Sequence, residues 1–327
     1  MDFRVNDDQQ ALQAGIRSFC EGRVSIDQLR TLEASGGLDR ELWTDLAEMG
    51  VFSLRMSEEA GGVGLGAAEA VLVFEELGRA LVPGPLAWSH LAASRIEGAA
   101  DGSAVIGGLD LSDAAGAPFL VEHLDRLDAL LVLRPDGVAR LEPGALGAKP
   151  VATPLDPLTP VWEVAALPPG ERIAGADAVR RLRLEGAVLA AAQQLGIAEA
   201  TLALAVEYAR GREQFSRPIG SFQAIKHILA DCFVRQEVAR AAVYAAGATL
   251  DDPAVGDVAR AVSAAKINAG EAAWKNARAC IQVHGGMGYT WEVPAHYFLK
   301  RAWVLESVFG GVEEHADAVA ERVGARG

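Results

Sequence analysis

Cysteine, basic charge and long apolar runs are all scarce in this chain. Only three cysteines occur in 327 residues, Cys20, Cys232 and Cys280, an odd number set far apart in apolar helical contexts. That pattern argues against a disulfide framework or a zinc site and for reduced core thiols in a cytoplasm. Lys and Arg number 30 against 44 Asp and Glu, a net charge of −14, so no extended basic surface is available for nucleic acid. An anionic small ligand is still admissible where a few arginines and helix N-termini converge. No run of about 18 uncharged apolar residues occurs, as a membrane span needs. The opening MDFRVNDDQQ carries acids where a signal peptide needs a basic and then an apolar stretch. The expectation is a protein neither exported nor membrane-bound. Six histidines (His90, His123, His227, His284, His296, His315) show no metal-ligand spacing, and no Gly-x-Ser-x-Gly elbow appears. No metal is expected.

What the chain has in quantity is apolar helical patterning, with 50% hydrophobic residues. Over residues 1–99, Leu12, Ile16 and Phe19 share one face, as do Leu42, Leu46 and Met49, and then Val71, Phe74, Leu77 and Leu81. Asn6 and Asp39 read as N-caps, Gly50 and Gly78 as C-caps. Over 100–176 the pattern changes to short runs (AVIGGL, APFLV, DALLVL, VWEVAAL) punctuated by prolines, which predicts a small β-domain with a strand through Leu130, Val132 and Arg134. Over 177–327 helices are predicted at 177–210, 218–250, 253–283, 292–309 and 311–323, the first with Leu184, Val188, Leu195, Leu202 and Val206 at bundle spacing. The fold class is mainly α. The stretch GVGLGA at 62–67 matches a dinucleotide fingerprint, but it lacks a preceding strand and is better read as a loop opening a helix at Ala67.

Two segments carry the chemistry: GREQFSRPIGSFQAIKHILAD at 211–231 and QVHGGMGYTWEVPAHYFLKRA at 282–302. Together with GLDRELWTDLAEMGVFSL at 37–54 and SEEAGGVGLGAAEAVLVFEELGRALVPGP at 57–85, they resemble the acyl-CoA dehydrogenase family. The resemblance implies an N-terminal helical domain, a middle β-domain and a C-terminal four-helix bundle. It also implies FAD, with Arg212, Gln214, Phe215, Ile219, Phe222, Gln282, Gly285 and Gly286 gripping the adenosine and pyrophosphate end of a neighbouring subunit's flavin. A guanidinium can make bidentate bonds to a diphosphate, and glycines let backbone approach it. The family's middle-domain segments that contact the flavin ring (Thr-Glu-Pro, Gly-Ser-Asp and Trp/Phe-Ile-Thr) are absent, so the β-domain reads as reduced.

In this family a glutamate removes the α-proton of an acyl-CoA thioester while hydride passes to the flavin. In the run VFGGVEEH at 308–315, Phe309 matches the family's aromatic and Gly310 stands where the glutamate belongs. The family's second base location falls at Gly186, with Glu185 next to it. Glu185, Glu306 and Glu313 are the remaining carboxylate candidates, and no catalytic residue is assigned. The expected role is that of a short, non-catalytic subunit in an α2β2 acyl-CoA dehydrogenase of the steroid-catabolic kind, completing the flavin site of a longer partner. The alternatives are a self-sufficient enzyme with a relocated glutamate, or a structural, CoA-binding paralogue without a redox role.

Overall fold

The computed structural model describes residues 5–112 and 116–324, so the first four residues of the opening segment lie outside the described residues. Five helices come first: α1 (Asp7–Arg23), α2 (Ile26–Ser35), α3 (Arg40–Glu48), α4 (Ala67–Arg79) and α5 (Leu86–Ala92). Strands β1 (Ile106–Asp110), β2 (Phe119–Glu122), β3 (Ala129–Arg134), β4 (Gly137–Leu141), β5 (Ala148–Pro150), β6 (Val161–Val164) and β7 (Glu171–Gly175) follow. The long helix α6 (Ala176–Gly211) leads to a two-stranded hairpin, β8 (Glu213–Gln214) and β9 (Arg217–Pro218). The chain closes with α7 (Gln223–Asp251), α8 (Val258–His284), α9 (Ala295–Ser307) and α10 (Val312–Gly324). The mainly α class expected from periodicity is what the chain adopts.

Local chemistry explains several helix ends. The Asn6 side chain accepts from the Gln9 amide at 2.8 Å while the Gln9 side chain accepts from the Asn6 amide at 3.1 Å, a reciprocal cap that satisfies two otherwise orphaned donors. Asp39 caps α3 through the Glu41 amide at 2.8 Å. Gly50, at φ 78°, follows the end of that helix. Ser25 and Gln28 form a second capping box on α2. Residues 62–66 form a loop and α4 begins at Ala67.

The chain divides into two compact units and passes between them at the end of α1, within α4, before Pro83 and within α6. One comprises Arg23–Ala70 and Pro83–Gly186. It holds a four-stranded sheet in the order β1-β3-β4-β7 and a three-stranded sheet in the order β2-β6-β5. The β1–β3 pair is parallel and the others antiparallel. In β3, Ala129 through Leu133 are all buried, so this strand reads as a continuous apolar run and forms the sheet's core.

The other unit comprises Met1–Gly22, Val71–Val82 and Ala187–Gly327. Its α8 packs against α7, α9 and α10. Helix α6 is long and apolar enough to cross a membrane, but 83% of its most apolar stretch is buried inside the protein, which makes it a core helix. Within this unit α4 and α6 meet backbone to backbone. A Cβ at Gly196 would lie 1.9 Å from the Glu75 carbonyl oxygen, and one at Gly78 would lie 2.2 Å from that of Gln193. Gly78 is therefore a helix-crossing residue inside α4, not the C-cap that its sequence position suggests.

Beside this crossing, Glu75 and Glu76 are buried, which requires charged partners. Arg17 forks onto Glu76 at 2.9 and 2.6 Å. Tyr244 donates to Glu75 at 2.7 Å, and Arg240 approaches it at 3.5 Å. Burial raises the Glu75 pKa to about 7, against the lowering pull of its Tyr244 hydrogen bond and of Arg240.

Candidate functional site

After α6 a hairpin and a 3-10 turn intervene, so that α7 begins at Gln223 rather than at the expected residue 218. The Arg212 amide extends the last turn by donating to Tyr208 at 2.8 Å; then Gln214 pairs with Arg217 across a two-residue turn. The turn residues are Phe215 at φ 53° and Ser216 at φ 62°. Left-handed backbone at two successive positions suits a tight hairpin, but it usually employs Asn and Gly. Here a bulky side chain adopts it, and Phe215 projects into solvent at 88% exposure. The Ile219 amide donates back to the Arg212 carbonyl at 2.8 Å, and a single 3-10 turn at Ile219–Ser221 delivers the chain to α7. Phe222 lies edge-on to Phe215 at 6.1 Å and beneath the Arg217 guanidinium at 4.1 Å. Arg212 is exposed and makes no ion pair among the described residues.

The second segment begins where α8 ends. The Gln282 carbonyl accepts from the Gly285 amide, and Gly285 adopts φ 62° and ψ −136°, a conformation that only glycine takes at small cost. A Cβ at Gly285 or Gly286 would meet nothing within 4 Å, and both residues, like Gln282, are exposed. Gly288 differs: its Cβ would lie 2.5 Å from the Ile281 carbonyl oxygen, so close packing explains it.

One apolar cluster holds both segments at the same end of the bundle. Ala205 and Ala209 of α6, Cys280, Ile281 and Val283 of α8, and Ala295 of α9 are buried together, with Ile219 and Ile225 packed against them. The His284 ring stacks on Tyr208 at 4.2 Å and is fixed by a 2.8 Å hydrogen bond to the Cys280 carbonyl. Arg212, Gln214, Phe215, Ile219, Phe222, Gln282, Gly285 and Gly286 thus lie on two loops sharing one foundation. A groove of about 700 Å³, lined by Arg235, Arg278, Gln282, Tyr289 and Trp303, adjoins them. Exposed cations, exposed aromatics and open glycine backbone suit a diphosphate carrying a flat ring.

The carboxylate candidates have quite different settings. Phe309 is buried at φ 57°, and Gly310 follows at φ 101°. A Cβ on Gly310 would lie 2.9 Å from His315 Nε2 and 3.0 Å from Glu314 Oε2. His315 is locked in place, with Nε2 3.0 Å from the Phe309 carbonyl and Nδ1 3.1 Å from Ser263 Oγ. Buried Lys266 donates to the Leu305 and Glu306 carbonyls at 2.8 and 2.9 Å, closing the end of α9. Sequence reasoning gave Lys266 no role and His315 none beyond its place at the end of VFGGVEEH, since the contacts of both are made to other helices. Glu306 and Glu313 are exposed, the latter in the first turn of α10 where the helix dipole favours it. Glu185 is not a solvated charge: it is largely buried and paired with Arg55 at 3.3 Å.

Comparison with known proteins decides the family. Residues 6–99 match the acyl-CoA dehydrogenase N-terminal domain family, and residues 174–324 match its C-terminal domain family. This chain belongs to the acyl-CoA dehydrogenase family. The family's cofactor is FAD, and its members are oxidoreductases acting on acyl-CoA. The chain is 36% identical to the acyl-CoA dehydrogenase IpdE2 of Mycobacterium tuberculosis, over 90% of this chain and 91% of that protein. It is 33% identical to IpdE2 of Mycolicibacterium smegmatis, over 95% and 97%. Among solved structures, a chain of the ChsE4-ChsE5 complex from Mycobacterium tuberculosis matches with a TM-score of 0.83 and 25% identity, covering 99% of each chain. Butyryl-CoA dehydrogenase from Megasphaera elsdenii shares the fold at TM-score 0.83 and 22% identity, over 99% of this chain and 100% of that one.

Proposed function

We propose that this chain is the non-catalytic subunit of a hetero-oligomeric, FAD-dependent acyl-CoA dehydrogenase acting on bulky, steroid-derived thioesters. It completes the flavin site of a longer partner in an α2β2 assembly in the cytoplasm. The observation that carries the reading is the contrast between two glycine corners: a Cβ at Gly285 or Gly286 would meet nothing within 4 Å, and Arg212, on the segment sharing their apolar foundation, makes no ion pair among the described residues, while a Cβ at Gly310 would meet His315 Nε2 at 2.9 Å. The likeness to a subunit of the ChsE4-ChsE5 complex supports the hetero-oligomer, and the three buried, free thiols suit a reducing compartment.

The residues take distinct parts. Arg212 donates to the diphosphate, the backbone approaches it where Gly285 and Gly286 leave room, and Phe215 and Phe222 offer apolar faces to the adenosine end. Ile219 positions the loop by packing into the cluster under it. When bound, FAD supplies the acceptor for the hydride leaving the substrate's β-carbon. Proton removal falls to the partner's base.

The test is co-expression with a longer homologue from the native host, followed by a visible spectrum and subunit stoichiometry. A yellow complex with two copies of each chain is expected, and little FAD on this chain alone. Full flavin occupancy on the isolated chain, with dye reduction by an acyl-CoA, would overturn the proposal.

A further inference from the structure

The carboxylates beside the α4–α6 crossing outnumber the cations that serve them. Three guanidinium groups, Arg17 of α1, Arg79 of α4 and Arg240 of α7, meet five carboxylates at 3.8 Å or less: Glu21 of α1, Glu75 and Glu76 of α4, Glu199 of α6 and Glu237 of α7. Glu21 and Glu237 stand at the rim, where water serves them. Glu76 receives the Arg17 fork, and Glu199 is approached by Arg17, Arg79 and Arg240 at 3.8, 3.6 and 3.2 Å. Glu75 is left with the least. Its side chain is 1% exposed, and its one guanidinium contact among the described residues is Arg240 at 3.5 Å, a group already engaged with Glu199 and Glu237.

The remaining donors to Glu75 are neutral. The Tyr244 hydroxyl at 2.7 Å and the Gln13 amide at 3.4 Å both serve Oε2, while Oε1 accepts no hydrogen bond among the described residues. Burial, and then the adjoining Glu75, raise the Tyr244 pKa, so the phenol keeps its proton. The Cys20 thiol on α1, pushed up to about 12 chiefly by burial, adds no charge. Nor can α4 shift to carry the carboxyl to water, because the Glu75 carbonyl oxygen lies where a Cβ at Gly196 would come within 1.9 Å of it, backbone against backbone. A buried carboxyl with neutral donors on one oxygen and a shared cation opposite the other is more stable protonated than ionised. Its pKa of about 7, raised first by burial and further by Glu199 and Glu76, accords with that arrangement.

We propose that Glu75 is a carboxylic acid in the folded chain on the acid side of neutrality, and that its proton makes the junction of α1, α4, α6 and α7 a pH-sensitive clasp. When that proton passes to solvent, the new buried charge depends on a cation that two other carboxylates share, and the junction loosens. An unfolded glutamate ionises near about 4.3, so between that value and about 7 the folded chain binds more protons than the unfolded one. The stability that Glu75 contributes is therefore full below this window and lost as the pH rises through it. Neither flavin nor a partner subunit enters the inference, so it stands or falls separately from the function proposed above.

Infrared difference spectra of the full chain, titrated from about pH 6 to about pH 8, test this at the carbonyl stretch of a protonated carboxylic acid. A band that bleaches with a midpoint near about 7 is expected in the parent and absent from Glu75→Gln. In Tyr244→Phe, which removes a hydrogen bond favouring the ionised form, the midpoint should move to higher pH. That shift assigns the band to Glu75 even if Glu75→Gln does not fold. Urea unfolding gives the second reading: relative to Glu75→Gln, the unfolding constant of the parent should rise about tenfold from about pH 6 to about pH 8. Lys266 is common to both chains, so its own titration drops out of the ratio. Absence of a bleaching acid band in the parent, a band that neither substitution alters, or an unfolding constant in fixed ratio to that of Glu75→Gln across the range would overturn the proposal.

Discussion

Gly285–Gly286 and Phe309–Gly310 are both glycine-containing corners at helix ends, and they differ in what surrounds them. At the first, an added methyl group would enter open space. At the second it would run into His315 and Glu314. Glycine in the first case leaves room for something outside the chain, and in the second for something already inside it. The comparison separates a glycine corner with open space around it from one enclosed by the protein's own side chains.

The most disruptive way to challenge that contrast is Gly310→Glu, which would reinstate the family's carboxylate. Left-handed backbone and a crowded Cβ should destabilise the fold by about 2–4 kcal/mol, seen as a lower Tm, without dehydrogenase activity appearing. Activity in this variant with an unchanged Tm would show that the corner is not filled. Next in size is Arg212→Ala, which should weaken flavin in the purified complex by about 1–3 kcal/mol through loss of charged hydrogen bonds, read by fluorescence titration of released FAD. Gly286→Ala sharpens the comparison most directly: denaturation midpoints should stay within about 0.5 kcal/mol of the parent, while flavin retention drops by about 1 kcal/mol.

Lys266, which closes the end of α9, predicts a pH signature. Burial lowers its pKa to about 7, with Glu306 and Glu314 opposing. Between that value and the unfolded lysine pKa, the unfolded chain binds more protons than the folded one, so this residue's contribution to stability rises with pH from about 7 to about 10.4. Urea midpoints of the parent relative to Lys266→Met should therefore improve across that window and be flat below it. The smallest effects belong to Glu306→Gln and Glu313→Gln, each expected to change stability by about 0.5 kcal/mol or less and the complex's turnover not at all.

Much of the architecture was legible in the sequence because it rests on periodicity and local capping. Asn6 and Asp39 cap as their side chains suggest, and the apolar run around Leu130 and Val132 forms the buried central strand. Gly78 misleads because a glycine near a helix end looks the same whether it stops the helix or admits another backbone; only Gln193, on a distant part of the chain, distinguishes the two. The hairpin at 213–218 gives little signal, since its ladder is two residues long and its turn lacks Asn-Gly. β4 and β7 are short, and their register shifts between Val138 and Ala139, which weakens any alternation. That residue 310 is a glycine beside an aromatic is plain in the sequence. That His315 packs against Gly310 and that Lys266 closes the end of α9 could not be read there, because these contacts bring together α8, α9 and α10.

The Phe215–Ser216 bend has a practical consequence for anyone wishing to make this protein hardier. Swapping in the residue pair that such bends ordinarily favour would relax the backbone and raise the melting point, and every routine screen for robustness would reward it. The same edit would remove the ring that now stands 88% exposed to solvent. If the chain has the role proposed above, a more durable version selected this way would hold flavin less well, and only an assay on the assembled enzyme would reveal the loss.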